Sequence, residues 1–183
     1  MKDIKIIALD MDGVINSNKL FYKWIMEHEK KYGREEAIKI FRKEFCSCEE
    51  LVFPQLAKRI TEICEKTDSY ILWSSTWRKL ERYKKIEDAQ EMFNRRGLPG
   101  NRLIAYTPQS GFSWAGRCRG SEISLWIRNN QEYNILKCAV IDDRDDAGFN
   151  LPKCARFFQT LSEDGITNKT KKEIINFLNK EDK

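Results

Sequence analysis

The chain has 183 residues, 41% of them hydrophobic, and a formal net charge of +5. That is the size of one ordinary domain, able to bury most of its apolar surface without disulfide or metal staples, so a single domain over residues 1–183 is expected. No apolar run approaches the roughly 18 to 20 residues of a membrane span, and the charged start "MKDIK" lacks the form of a signal peptide; no membrane association and a cytoplasmic location are expected.

Short β-type runs recur at "IKIIALD" (4–10), "YILWSS" (70–75), "RLIAY" (102–106), "CAVIDD" (138–143) and "ARFFQT" (155–160). After the first, "KLFYKWIMEHEKKYG" carries its apolar face at 20, 21, 24, 25 and 28 and stops at Gly33. "REEAIKIFRKEF" repeats the pattern at 37, 38, 41 and 45, so residues 17–47 read as a small helical, cap-like insertion after strand one. Pro54 suits the first turn of a third helix with Leu56, Ile60, Ile63 and Cys64 as its stripe. Leu80, Tyr83, Ile86, Ala89 and Phe93 predict a helix over 79–96 ending at Gly97. Ile123, Trp126 and Ile127 mark another after Gly120, and "TKKE" at 170–173 fits a capping box ahead of Ile174.

Strands alternating with helices predict an α/β fold: three layers, a central parallel sheet of about five strands, helices on both faces. The six cysteines (46, 48, 64, 118, 138, 154) read as reduced thiols. "CSC" at 46–48 lacks a second paired motif, and the sole histidine, His28, shares an apolar face with Trp24 and Ile25, so it reads as a packed side chain rather than a zinc ligand.

In a parallel sheet, ligands sit at the carboxyl ends of the strands. Three apolar strands here finish in acid or hydroxyl groups: Asp10 with Asp12, Ser74 with Ser75, and Asp142 with Asp143. Several carboxylates converging without a histidine cannot all stay ionised in a desolvated cleft. A hard cation resolves this, and oxygen-only donors suit Mg²⁺, which favours phosphate oxygens as its remaining ligands. An Asp beside such a cation can attack phosphorus while a second acid protonates the leaving oxygen and then activates water. Residues i and i+2 of an extended chain point the same way, so Asp10 and Asp12 can supply that pair while Gly13 lets the backbone turn away.

"DMDGVIN", "ILWSSTWR", "RGSEISLWI" and "VIDDRDDA" resemble, in order, the four motifs of the haloacid dehalogenase (HAD) superfamily of phosphohydrolases. With "TP" at 107–108, the combination looks closest to the small HAD domain associated with RNA-repair proteins, and is also similar to polynucleotide 3′-phosphatases and 5′(3′)-deoxynucleotidases. The resemblance implies a Rossmann-like HAD fold and a Mg²⁺-dependent phosphatase working through an aspartyl-phosphate, on nucleotides or on RNA or DNA phosphate ends. In it, Asp10 would be nucleophile and metal ligand; Asp12 would be the general acid/base, with its backbone carbonyl on the metal. Ser74 or Ser75 would bind the transferring phosphoryl. Arg119 would stand where a lysine is usual, with Arg117 close enough to compete, and guanidinium binds phosphate well. Asp143 would hold the metal with Asp142 and Asp146 in support, the doubled acid leaving either member of the pair for direct contact. Arg78 and Arg144 are candidate substrate contacts.

Lacking a large cap, the site is expected to be open. The loop "YTPQSGFSWAGRCRG" sets Tyr106, Phe112 and Trp114 among Arg117 and Arg119, a mixture able to stack a base. The distributed positive charge adds a mild bias toward polyanions, and nothing in the sequence calls for a protein partner. Two other readings compete: a non-catalytic phosphate or nucleic-acid binding module retaining the fold, and a phospho-acceptor signalling domain. The first predicts loss of the nucleophile or the acid, and both are present. The second predicts an acid pair on strand one with its acceptor on a later strand, unlike "DMDG".

Overall fold

The computed structural model describes residues 1–45, 51–108 and 118–180. Ile4, Ile6, Ile7, Ala8 and Leu9 are buried on both faces of strand β1 (Lys2–Leu9), which is why this run is continuously apolar rather than alternating. β1 lies at the centre, paired in parallel with β2 (Ser69–Trp73) on one side and β4 (Tyr133–Asp142) on the other. β3 (Leu103–Tyr106) extends the sheet beyond β2 and β5 (Ala155–Gln159) beyond β4, giving the order β3-β2-β1-β4-β5, all parallel.

The alternation of side chains along the strands divides the core in two. Ile7, Leu9, Ile71, Trp73, Ala139 and Ile141 face a large cluster completed by α3 (Pro54–Thr67), α4 (Ile86–Arg95) and α6 (Asn168–Asn179). Ile4, Ile6, Ala8, Leu72, Cys138 and Val140 face a smaller one closed by Ile123 and Trp126 of α5 (Arg119–Asn129). The result is the expected three-layer α/β arrangement, with three of these helices on one face and one on the other.

Between β1 and α3 stand α1 (Asn18–Tyr32) and α2 (Arg34–Phe45). The Ser17 hydroxyl caps α1 by accepting from the Leu20 N–H at 3.2 Å. No α1 residue is fully buried: Leu20, Phe21 and Trp24 lean on the large core while Tyr22 and Met26 face solvent. His28 stacks on Trp24 at 3.8 Å between ring centroids, with Nδ1 2.9 Å from the Trp24 carbonyl. The described cysteines, Cys64, Cys118, Cys138 and Cys154, are unpaired, and Cys46 and Cys48 lie outside the described residues. No helix among the described residues is long and apolar enough to cross a membrane.

Three elements depart from the sequence expectation. The helix expected over 79–96 is only Ile86–Arg95, preceded by two tight turns at Thr76–Lys79 and Glu81–Tyr83. The Ser75 hydroxyl caps the first turn through the Trp77 N–H, and Leu80 (φ −67°, ψ 137°) and Lys85 (φ −98°, ψ 140°) are extended, so the chain cannot join one continuous helix. β4 begins at Tyr133 rather than near 138, because Tyr133–Ile135 pair with Lys2–Ile4 in a half-exposed stretch whose alternation hides it from an apolar-run reading. The last helix is capped by Thr167, which accepts from the Thr170 N–H at 3.1 Å, one turn before the expected "TKKE" box.

Candidate active site

Strand order reverses at β1, whose neighbours β2 and β4 lead to opposite edges of the sheet, and the polar residues gather at the carboxyl ends of these strands. The Asp10 N–H continues the ladder by donating to the Ile141 carbonyl at 3.0 Å, which sets Asp10 beside Asp142, the last residue of β4. Oxygens of Asp10, Asp142 and Asp143 all lie within 4.8 Å of one another.

Two of these acids are deeply enclosed, Asp10 at 4% and Asp142 at 1% exposure. Burial pushes the Asp10 carboxyl up to about 6, against the opposing pull of Arg119, the Met11 N–H and the Ser75 hydroxyl. Burial, then the neighbouring Asp10 charge, pushes Asp142 up to about 7. Arg119 is the nearest positive charge, with Nη1 3.8 Å from Asp10 Oδ1 and Nε 3.6 Å from Asp142 Oδ2.

These contacts leave a group of buried polar atoms without hydrogen-bond partners: Ser74 Oγ, Arg119 Nη1 and Asp142 Oδ2. Such atoms are costly unless something fills the space they address. Two acceptor-rich carboxylates, a third beside them, an orphaned acceptor and orphaned donors together fit a hard divalent cation and an oxyanion. Of the two serines, Ser75 is engaged with Asp10 and with the Trp77 N–H, whereas the Ser74 hydroxyl is unpartnered.

Asp12 sits apart from the trio. Met11 is buried and the chain turns immediately after it, with the Ile15 N–H on the Met11 carbonyl at 3.0 Å. The Asp12 side chain is exposed and held by two donors: Trp77 Nε1 to Oδ2 at 3.0 Å and Asn16 Nδ2 to Oδ1 at 2.8 Å. Asn16 Oδ1 in turn accepts the Gly13 N–H at 2.8 Å. Gly13 has φ +68°, and a Cβ there would lie 2.3 Å from Asp143 Oδ2, so both conformation and close approach require glycine. Ser162 Oγ fixes the same Asp143 oxygen at 2.7 Å, and Thr160 Oγ1 holds the Gly13 carbonyl at 2.8 Å.

The arginines divide by role. Gly120, where a Cβ would come within 1.9 Å of the Phe149 carbonyl, lets the start of α5 press against the turn at Asp145–Gly148. There Asp146 Oδ2 accepts the Arg119 N–H at 3.2 Å, and Arg144 pairs with the same carboxylate through Nε at 2.9 Å. Arg78 is nearly enclosed, its side chain 2% exposed, and it borders only a small cavity of about 80 Å³ shared with Arg119 and Arg144. It donates to the carbonyls of Thr107, Ser74 and Ser75 and to Glu122 Oε2 at 2.7 Å. The sequence expectation of a substrate contact gives way to a brace under the serine loop. Phe112, Trp114 and Arg117 lie outside the described residues.

Sequence reasoning missed Trp77, Asn16, Ser162, Thr160 and Glu122. Trp77, Asn16 and Glu122 fall within the quoted motifs, so position alone could have flagged them; Ser162 and Thr160 carry no local signal.

A cavity of about 310 Å³ opens beside Asp12 and Asp143, walled by Phe21, Phe41 and Leu51. A second groove, of about 680 Å³ between α1 and the end of α4, contains none of the acidic-site residues.

No curated protein matches the chain significantly. Among solved structures it is similar to the HAD domain of effector protein Lem4 from Legionella pneumophila, at TM-score 0.56 and 14% identity, covering 97% of each chain. It also shows a weaker likeness to a haloacid dehalogenase-like family hydrolase from Streptococcus pneumoniae, at TM-score 0.46 and 12% identity, covering 93% of this chain and 90% of that one. The first supports the fold alone. Residues 6–170 match the family described as the HAD domain in Swiss Army Knife RNA repair proteins. That span runs from the second half of β1 to the start of α6 and contains both halves of the acidic cluster, and the chain belongs to this family of HAD domains.

Proposed function

We propose that the protein is a Mg²⁺-dependent phosphohydrolase acting through Asp10 on nucleotides or on the phosphate ends of nucleic acids. The observation that carries this reading is the separation of two kinds of acid. Asp10, Asp142 and Asp143 converge within 4.8 Å, while the Asp12 side chain is held away from them by Trp77 and Asn16.

Asp10, Asp142 and Asp143 would hold the ion, which when bound offsets their mutual repulsion and the charge on phosphoryl oxygens. A carboxylate oxygen of Asp10 attacks phosphorus and the bond to the leaving oxygen breaks. Protonated Asp12 gives its proton to that oxygen, and the leaving group departs as an alcohol. Asp12, now a carboxylate, takes a proton from water as the water oxygen attacks the aspartyl-phosphate. The phosphorus–Asp10 bond breaks, releasing phosphate and restoring both acids. Arg119 Nη1 and the Ser74 hydroxyl, both buried donors without hydrogen-bond partners, hold the phosphoryl oxygens through both steps. Trp77 and Asn16 keep Asp12 in place, and its exposure lets it exchange protons with solvent.

The test is Mg²⁺-dependent phosphate release from a panel of nucleotides, 3′- and 5′-phosphorylated oligonucleotides and an aryl phosphate, with Asp10→Asn as control. Activity in the native protein that the substitution abolishes is the expected result. Undiminished turnover in Asp10→Asn refutes the covalent step, and no release from any compound favours a phosphate-binding module on the same fold.

A further inference from the structure

We propose that Ser162 is a positioning residue for the divalent-ion site, and that the loop carrying it ties Asp143 to the first turn of α1, so that ion binding and the helical insertion steady each other. This rests on the ion-binding part of the reading above and not on turnover.

The three acids differ in what orients them. Asp10 takes the Met11 N–H and the Ser75 hydroxyl, and Asp142 takes the Arg144 N–H at 2.9 Å. Both are buried, with Arg119 beside them. Asp143 is only half-buried, and among the described residues its carboxylate has one hydrogen-bond donor, the Ser162 hydroxyl, 2.7 Å from Oδ2. Oδ2 also packs against Gly13, so these two neighbours set the rotation of the carboxylate and with it the direction of Oδ1. Mg²⁺ demands near-ideal ligand placement, and a group that orients a ligand from behind typically carries a factor of roughly 10–100 in metal affinity.

The same loop holds the start of the insertion. The first N–H groups of an α-helix have no acceptor within the helix. In α1 the Leu20 N–H goes to the Ser17 hydroxyl, whereas the Asn18 and Lys19 N–H groups go to the carbonyls of Ser162 at 3.0 Å and Glu163 at 3.2 Å. Ser162 therefore touches Asp143 with its hydroxyl and α1 with its carbonyl. The loop is pinned at both ends, by the Thr160 N–H on the Asp142 carbonyl at 3.0 Å and the Ile166 N–H on the Val14 carbonyl at 2.8 Å. It is closed on itself by the Gly165 N–H on the Leu161 carbonyl at 2.8 Å. A displacement of Ser162 thus disturbs acid and helix together. Such coupling is reciprocal: whatever factor the Ser162 contact adds to Mg²⁺ affinity, Mg²⁺ adds to the contact.

The experiment titrates Mg²⁺ alone into the metal-free native protein, Ser162→Ala and Ser162→Thr by calorimetry. It also follows amide exchange at Asn18 and Lys19 by NMR, with and without Mg²⁺. Ser162→Ala should weaken Mg²⁺ binding by about tenfold, the lower end of the range because the serine is exposed, and Ser162→Thr, which keeps the hydroxyl, should stay within about threefold of native. In the native protein Mg²⁺ should slow exchange at Asn18 and Lys19 by up to that same factor, and in Ser162→Ala the slowing should be lost. Both metal-free variants should unfold within a few degrees of native.

Native Mg²⁺ affinity in Ser162→Ala, equal weakening in Ser162→Ala and Ser162→Thr, or exchange at Asn18 and Lys19 that ignores Mg²⁺ each overturns the proposal. A metal-free Ser162→Ala that unfolds far below native would make the contact structural and overturn it as well. So would a native protein that binds no Mg²⁺, with phosphate release then deciding the phosphohydrolase reading separately. Ser162-dependent Mg²⁺ binding in a protein that releases phosphate from no compound would retain the proposal and remove the catalytic reading.

Discussion

Replacing Arg78 by methionine separates a brace from a substrate contact. The guanidinium is 2% exposed and donates to Glu122 Oε2 at 2.7 Å, to the Thr107 carbonyl at 3.1 Å, to Ser74 O at 3.2 Å and to Ser75 O at 2.5 Å. Methionine keeps much of the volume and removes the guanidinium that pairs with Glu122, whose side chain is 10% exposed, and that holds three loop carbonyls. Removing one member of a buried pair costs about 3–5 kcal/mol. For a chain of this size that corresponds to a fall in Tm of roughly 6–20 °C. The assay is urea or thermal unfolding of Arg78→Met, Glu122→Leu and the double variant. The double variant should recover much of the loss, because both desolvated charges are gone together. A loss under about 1 kcal/mol in Arg78→Met, with a rise in KM instead, refutes the brace and restores Arg78 as a substrate contact. Strict additivity of the two single losses would equally show that the pair is not the source.

Other consequences follow from the acidic cluster and the caps. Without divalent metal, Asp10 and Asp142 hold more protons folded than unfolded between about pH 4 and their raised values of about 6 and 7, so stability should rise as pH falls through that window. The gain should be on the order of 3 kcal/mol, read as Tm in a chelator, and a slope that persists unchanged in Asp142→Asn would refute its origin. Mg²⁺ should reverse the trend at neutral pH by stabilising the ionised trio, raising Tm as it binds. Gly13→Ala should cost about 1–2 kcal/mol through its positive φ alone. It should also weaken Mg²⁺ binding by pushing on Asp143, and calorimetry that finds native Mg²⁺ affinity would contradict the close approach. Thr167→Ala should cost about 1 kcal/mol and Thr170→Ala clearly less; the reverse order would return the cap to the "TKKE" register.

Much of the architecture was legible because the central parallel strands write themselves as unbroken apolar runs, two of which, β1 and β4, end in acids. Asp10 and Asp142 each close such a run, and the rule that ligands collect at carboxyl ends brings them together before any coordinates are known. Arg78 shows the limit. From sequence it is a loop arginine beside a hydroxyl motif, and nothing local says that Glu122, 44 residues on, neutralises it. Trp77 on Asp12 and Ser162 on Asp143 are likewise long-range pairs, separated by 65 and 19 residues. The first half of β4 was lost for a different reason: its residues alternate between half-buried and exposed, which dilutes the apolar signal. The shortened α4 reflects tertiary override, since the extended residues Leu80 and Lys85 interrupt a periodicity that by itself favours one long helix.

The strand order has a kinetic consequence. β1, made first, is flanked by β2 and by β4, and its pairing with β4 joins Lys2 to Tyr133 and Leu9 to Ile141. Closing such loops is slow, so one edge of β1 stays unpaired until the chain has been synthesised through Asp142. The same docking event brings Asp142 to Asp10, which means the acidic trio comes into being only when the central sheet closes. A chain still missing β4 therefore holds Asp10 and Asp12 but no paired carboxylates, and during refolding catalytic competence should arrive with the last central strand rather than with the first motif.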